Sequence, residues 1–152
     1  MLSAAHTIIS LPLIFIFDTP VLLFMAAFVL HLLMDSVLHW NIYSENFKRY
    51  PFIWVALDVV GGLAASLLLI DDHFFTLPVW IAIAGGNMPD ILTGLWDMLP
   101  PAIQKRNFSW LQPWFRFHDR LQLETSNMLV GLLPQVVMVG AAIVLIVIDS
   151  SL

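Results

Sequence analysis

The chain has 152 residues, 60% hydrophobic and 11% charged, with net charge −5 and no cysteine; its mean hydropathy is +0.88. A soluble domain averages about 45–50% apolar and about 25% charged, and one of this size has too little core to hide so much apolar surface. The composition excludes a disordered chain, a disulfide-stapled domain, thiolate chemistry, Fe–S clusters and Cys-type zinc sites; six Lys+Arg leave no basic footprint for nucleic acid.

The pattern predicts an all-α, polytopic membrane helical bundle, a single integral-membrane domain over 1–152. A helical span takes about 20 mostly apolar residues, and about five segments qualify. The first is 1–17, ended by Asp18-Thr19-Pro20 because Pro disfavours helix in the residue before it. It has no early Lys or Arg and no small-x-small site before Asp18, so it is expected to be retained rather than cleaved. The second is 21–39. The third, 51–70, carries Gly61-Gly62 in its middle, where small residues allow close helix approach. The fourth, 74–88, is expected to stop at Gly85-Gly86-Asn87-Met88-Pro89. The fifth is 126–148, with Pro134 as a kink.

All Lys and Arg fall in two segments: Lys48 and Arg49 between spans two and three, and Lys105, Arg106, Arg116 and Arg120 between spans four and five. With five spans these share one side, which the positive-inside rule makes cytoplasmic. The N-terminus is then cytoplasmic and the C-terminus outside. The segment 97–125 interleaves Phe108, Trp110, Leu111, Trp114, Phe115 and Phe117 with basic residues. That is the composition of a stretch lying in the headgroup layer of the bilayer, the expected partner. Trp40, Trp54, Trp96, Trp110 and Trp114 map to this inner interface, and Trp80 does not.

Ionisable residues inside spans cost about 2.5–3.5 kcal/mol each at the helix centre. Here they are His6, His31, Asp35, His39, Asp58 and Asp90, with His118 and Asp119 in the inner segment. All approach the cytoplasmic side; His73, at an outer turn, is set aside. His31, Asp35 and His39 are spaced four and four, so on a continuous helix they share a face. The two histidines would then lie about 12 Å apart along the axis. One ion could take His31 and Asp35, and a second Asp35 and His39, with metals about 3.5–4 Å apart; the spacing leaves one ion or two open. Singly, Asp58 also suits a structural hydrogen bond near Gly61-Gly62, His39 an interfacial place beside Trp40, and Asp119 a solvated pair with Arg120.

The run His31-Leu-Leu-Met-Asp35-Ser-Val-Leu-His39-Trp40, after Ala5-His6-Thr7, resembles a bacterial family of small inner-membrane proteins classed as membrane-bound metal-dependent hydrolases. That family is itself distantly similar to zinc-dependent phospholipase C. Met88-Pro89-Asp90 matches its Pro-Asp element, and Phe117-His118-Asp119-Arg120-Leu121-Gln122 its later His element, in the same order over most of the chain. The chain departs from the family pattern at Leu38, often Pro there, at Leu92, often Asp, and at Asp119, often His.

With the resemblance, the residues imply a hydrolase at the cytoplasmic membrane interface, its metal held by His6, His31, Asp35, Asp58, Asp90 and His118, with His39 as ligand or orienting group. A ligand set of N and O without Cys suits a divalent transition metal, zinc foremost, with manganese or iron next; it is too His-rich for Mg or Ca. Asp119 or Glu124 is the expected proton acceptor, and Arg120 or Arg116 the group that holds a phosphate oxygen. A phosphoester or lipid headgroup is the expected substrate. The alternative is a non-hydrolytic transporter, or a proton or metal relay, using the same His/Asp array.

Overall fold

The computed structural model describes residues 1–41 and 51–149, so the basic pair Lys48 and Arg49 lies outside the described residues. Seven helices make up the described regular structure: α1 Ser3–Ser10, α2 Pro20–Asp35, α3 Pro51–Ile70, α4 Leu77–Asp97, α5 Pro101–Asn107, α6 Gln112–Leu121 and α7 Met128–Asp149. Short 3₁₀ turns follow α1 (Leu11–Phe15), α3 (Asp71–His73) and α5 (Ser109–Leu111). Proline opens α2, α4 and α5 at the first or second position, where its missing N–H is no loss. Two helices, α3 and α7, are long and apolar enough to cross a membrane.

Three expected spans change on the page. Ser3–Phe15 is 13 residues long, about 20 Å at helical rise and short of a hydrocarbon core of about 30 Å. It is also the most enclosed stretch among the described residues: Ala5 to Pro12 are all buried, with α2, α3, α4 and α7 packed around it. The second helix stops at Asp35 rather than 39. The Asp35 carbonyl accepts the Leu123 N–H, the His39 N–H goes to the Leu123 carbonyl, and the Thr125 N–H to the His39 carbonyl. After a turn at Ser36 and Val37 the chain is thus drawn at His39 into an isolated bridge with Glu124 instead of another helical turn. The fourth helix runs through Gly85-Gly86-Asn87-Met88-Pro89 to Asp97.

Gly85 and Gly86 in α4 serve contact rather than termination. A Cβ on Gly85 would meet the Phe24 carbonyl oxygen at 2.6 Å and the Ala27 Cβ at 2.9 Å on α2; one on Gly86 would strike Ser10 Oγ on α1. On α3, Gly62 does the same against Ala4 at 2.7 Å, whereas Gly61 faces open space. Such approaches bring whole backbones together, which in apolar surroundings supplies packing that side-chain hydrophobicity alone does not. Pro134 lies inside α7, as expected from the sequence.

The bundle has two unlike ends. At one, Leu11, Ile70, Phe74, Val79, Ile83 and Ile146 form an apolar cluster joining the turn after α1, the last turns of α3 and α7 and the start of α4. At the other, the start of α1, the end of α2, the second half of α4, α6 and the start of α7 converge, and the buried ionisable groups are there. The N–H groups at the start of α1, which have no partner within the helix, are met at this end by side chains from afar. Leu2 N donates to Gln135 Oε1 (3.1 Å), Ser3 N to Asp58 Oδ2 (2.6 Å) and Ala4 N to Asp58 Oδ1 (3.3 Å). Asn87 Nδ2 adds a bond to Thr7 Oγ1 at 3.0 Å.

Candidate metal centre

Four side chains from three helices meet at the polar end. His31 and Asp35 come from α2, Asp90 from α4 and His118 from α6, and each offers a ligand atom within 4.8 Å of the others. His31 Nε2 is 3.0 Å from Asp35 Oδ2 and 3.6 Å from Asp90 Oδ1; His118 Nε2 is 3.5 Å and 3.8 Å from the same two oxygens. The two Nε2 atoms are 3.4 Å apart. Ligands about 2.0–2.2 Å from one ion stand about 3–4 Å from each other, and these separations match. His31, Asp35 and His118 are fully enclosed; Asp90 keeps a side-chain exposure of 32%, the open flank of the group.

The local fold explains why the nitrogens converge. His31 Nδ1 donates to the Gly86 carbonyl at 2.6 Å, and His39 Nδ1 donates to the Val37 carbonyl at 2.8 Å. A carbonyl only accepts, so in both rings Nδ1 carries the proton and Nε2 is turned toward Asp35. His118 Nδ1 is 3.1 Å from Thr93 Oγ1, which faces it from α4 one turn beyond Asp90. Rings are also held by stacking: His6 on His31 at 3.8 Å between centroids, and Trp114 on His118 at 6.2 Å. Tying Nδ1 and stacking the ring fix orientation as well as tautomer.

The donor set fits an ion on its own terms. Asp35 Oδ2 and His39 Nε2 are buried and accept or donate no aligned hydrogen bond, although His31 Nε2 stands 3.0 Å from that oxygen. A buried polar atom left so costs about 1–3 kcal/mol, which a cation among these ligand atoms would offset.

The remaining expected residues fall into three groups. His6 and His39 flank the four: His6 Nε2 is 3.1 Å from Asp35 Oδ1 and 3.9 Å from Asp90 Oδ2, and His39 Nε2 is 4.0 Å from Asp35 Oδ1. The Met1 nitrogen, also buried, is 3.0 Å from that Oδ1. Asp58 stands apart from the group of four, its two oxygens accepting the Ser3 and Ala4 N–H groups at the start of α1. His73 is exposed in the turn Asp71–His73.

Of the expected acid–base and phosphate groups, Asp119, Arg120 and Arg116 are exposed on α6, whose buried residues are Phe115 and His118. Asp119 stands near Asp97 at the end of α4; burial, and then the Asp119 charge, push the Asp97 carboxyl above its usual range. Glu124 is exposed beside His39, with its Oε1 accepting Asn41 Nδ2 at 2.9 Å. Thr93 and Gly86 are functional neighbours not expected from the sequence; Thr93, three residues after Asp90, shares its helix face. Comparison with family models, with curated proteins and with solved structures returns no match.

Proposed function

We propose that the protein is a membrane-bound metal-dependent hydrolase, with its centre at the cytoplasmic membrane interface and a phosphoester, in the first instance a lipid headgroup, as substrate. The observation that carries this reading is the buried convergence of His31, Asp35, Asp90 and His118, with short contacts and no hydrogen-bond alignment at Asp35 Oδ2. All-N/O donors rich in His suit zinc first and manganese or iron next. The chemistry such an ion supplies is Lewis acidity toward a phosphoryl or carbonyl oxygen and toward water.

The chain's own residues do the rest. Asp90, the exposed flank of the group, is where a substrate oxygen gains entry. Glu124, exposed and paired through its backbone with His39, is the proton acceptor for an entering water, with Asp119 as the alternative. Arg116 and Arg120, exposed on α6 two residues to either side of His118, are the cations available on that helix to hold phosphate oxygens. The same segment exposes Trp110 and Phe117, aromatic rings suited to the headgroup layer. The likeness to the inner-membrane hydrolase family and the polytopic, N-terminus-inside arrangement belong to this reading. So does the cytoplasmic membrane of a bacterium or archaeon. The apolar outer faces of α3 and α7 support it, with only 17% and 22% of their most apolar windows buried.

The test is metal content of detergent-purified protein by inductively coupled plasma mass spectrometry, beside His31→Ala/Asp35→Ala protein that elutes as a folded species. The expected result is at least one equivalent of transition metal per chain, absent from the double variant, with metal-dependent release of a phosphorylated headgroup from phospholipid in mixed micelles. No metal after reconstitution with Zn or Mn overturns the reading. Bound metal with no hydrolysis of phosphoester or ester substrates overturns the hydrolase part of it.

A further inference from the structure

Each carboxylate at the centre turns its two oxygens to different groups. Asp35 Oδ2 and Asp90 Oδ1 face His31 and His118, at 3.0–3.8 Å. Asp35 Oδ1 faces His6 at 3.1 Å and His39 at 4.0 Å, and Asp90 Oδ2 faces His6 at 3.9 Å. The opposite oxygens of both carboxylates therefore point to opposite sides, and each side has two imidazoles. That is the arrangement of two ions bridged by carboxylates, which stand about 3.5–4 Å apart in two-metal hydrolytic sites.

His39 supplies the independent observation. Its side chain is 0% exposed, its Nδ1 proton is spent on the Val37 carbonyl, and its Nε2 has no hydrogen-bond partner. A neutral imidazole in that state keeps an unshared lone pair in a closed space, directed to the side of Asp35 away from His31. A purely structural histidine would have that nitrogen bonded, because leaving it bare costs about 1–3 kcal/mol. His6 is also nearly fully buried, stacked flat on His31 with Nε2 toward both carboxylates.

We propose that the centre takes two divalent transition-metal ions: one on His31, His118, Asp35 Oδ2 and Asp90 Oδ1, and a second on His6, His39 and Asp35 Oδ1, with Asp90 Oδ2 completing the bridge. The second ion takes the place beside Asp35 Oδ1 that the Met1 nitrogen holds here. The proposal rests on the metal reading above and adds the second ion, its ligands and the bridging role of both aspartates. It assigns His6 and His39, which lie outside the compact group of four, to a defined position.

The experiment strips the full chain of metal in detergent, reconstitutes it with Mn(II), removes free metal and counts ions per chain. Electron paramagnetic resonance of the same samples separates isolated from exchange-coupled Mn(II). Wild type is expected to hold two equivalents with the spectrum of a coupled pair. His39→Gln and His6→Gln are each expected to hold one, with the spectrum of an isolated ion. His118→Gln disrupts the first position and serves as the contrasting variant. One equivalent in wild type with an isolated-ion spectrum overturns the second ion and leaves the first reading standing. Two equivalents retained in both His39→Gln and His6→Gln, or two uncoupled ions, overturn the assignment of ligands. No bound Mn(II), and none with Zn, overturns both readings together. The wild-type count and spectrum decide the matter even where a variant fails to fold.

Discussion

Asp58 Oδ2 accepts the Ser3 N–H at 2.6 Å across 55 residues of chain, and its Oδ1 accepts the Ala4 N–H at 3.3 Å. A helix start carries partial positive charge from its unpaired N–H groups, so a carboxylate there both accepts bonds and complements the dipole. Because α2, α3, α4 and α7 all pack on α1, this cap, with Gln135 on the Leu2 N–H, ties the start of the His6 helix to the rest of the bundle.

The cap reading and the ligand reading of Asp58 part company in Asp58→Asn. An amide keeps one acceptor but loses the charge and the second oxygen, so stability is expected to fall by about 1–2 kcal/mol. Metal stoichiometry is expected to stay at the wild-type value. The measurements are thermal unfolding in a fixed detergent and metal content of the same preparation. Loss of a metal equivalent without a fall in stability would return Asp58 to the ligand set.

Thr93 makes the second prediction. Its hydroxyl faces His118 Nδ1 at 3.1 Å, the position from which a partner fixes the tautomer of a ligating imidazole. Thr93→Val keeps the shape and removes the acceptor. Metal affinity, read by competition with a chromogenic chelator, is expected to fall by about 10–100-fold, the usual effect of losing such a partner. Thr93→Ser is expected to restore it. Unchanged affinity in the valine variant would mean that packing against Trp114 alone orients His118.

The sequence carried the chemistry of the centre more legibly than its geometry. His31 and Asp35 meet because they are four apart on a true helix, and that spacing is visible by eye. His39 also reaches Asp35, but by another route. The chain leaves the helix after Asp35 and is returned by pairing with Leu123 and Thr125, a contact more than 80 residues away that no local pattern encodes. Gly85-Gly86 gave the opposite error. Glycine pairs before Pro-Asp look like a helix end, yet both residues sit where Phe24, Ala27 and Ser10 press on the α4 backbone. Tertiary crowding, absent from the sequence string, makes glycine necessary there. The first segment shows a related limit: composition alone does not separate a lipid-facing helix from one whose residues Ala5 to Pro12 are enclosed by their neighbours. Thr93 had a faint signal, three residues beyond Asp90, but a lone threonine in an apolar run has no distinguishing mark until its partner is known.

The absence of cysteine makes the membrane arrangement directly testable. His73, in the turn before α4, and Ser109, between α5 and α6, are both exposed and lie on either side of α4. At 21 residues, α4 is about 31 Å long, enough to cross a hydrocarbon core of about 30 Å, although its second half carries Asn87, Asp90, Thr93 and Asp97. If the polar end faces the cytoplasm, a membrane-impermeant maleimide should label His73→Cys in intact spheroplasts. It should label Ser109→Cys only after lysis. The reverse pattern would invert the orientation and place the centre outside. Labelling of both from one side would mean that α4 does not cross, leaving α3 and α7 to carry the chain through the bilayer and the metal centre in a bundle resting against it.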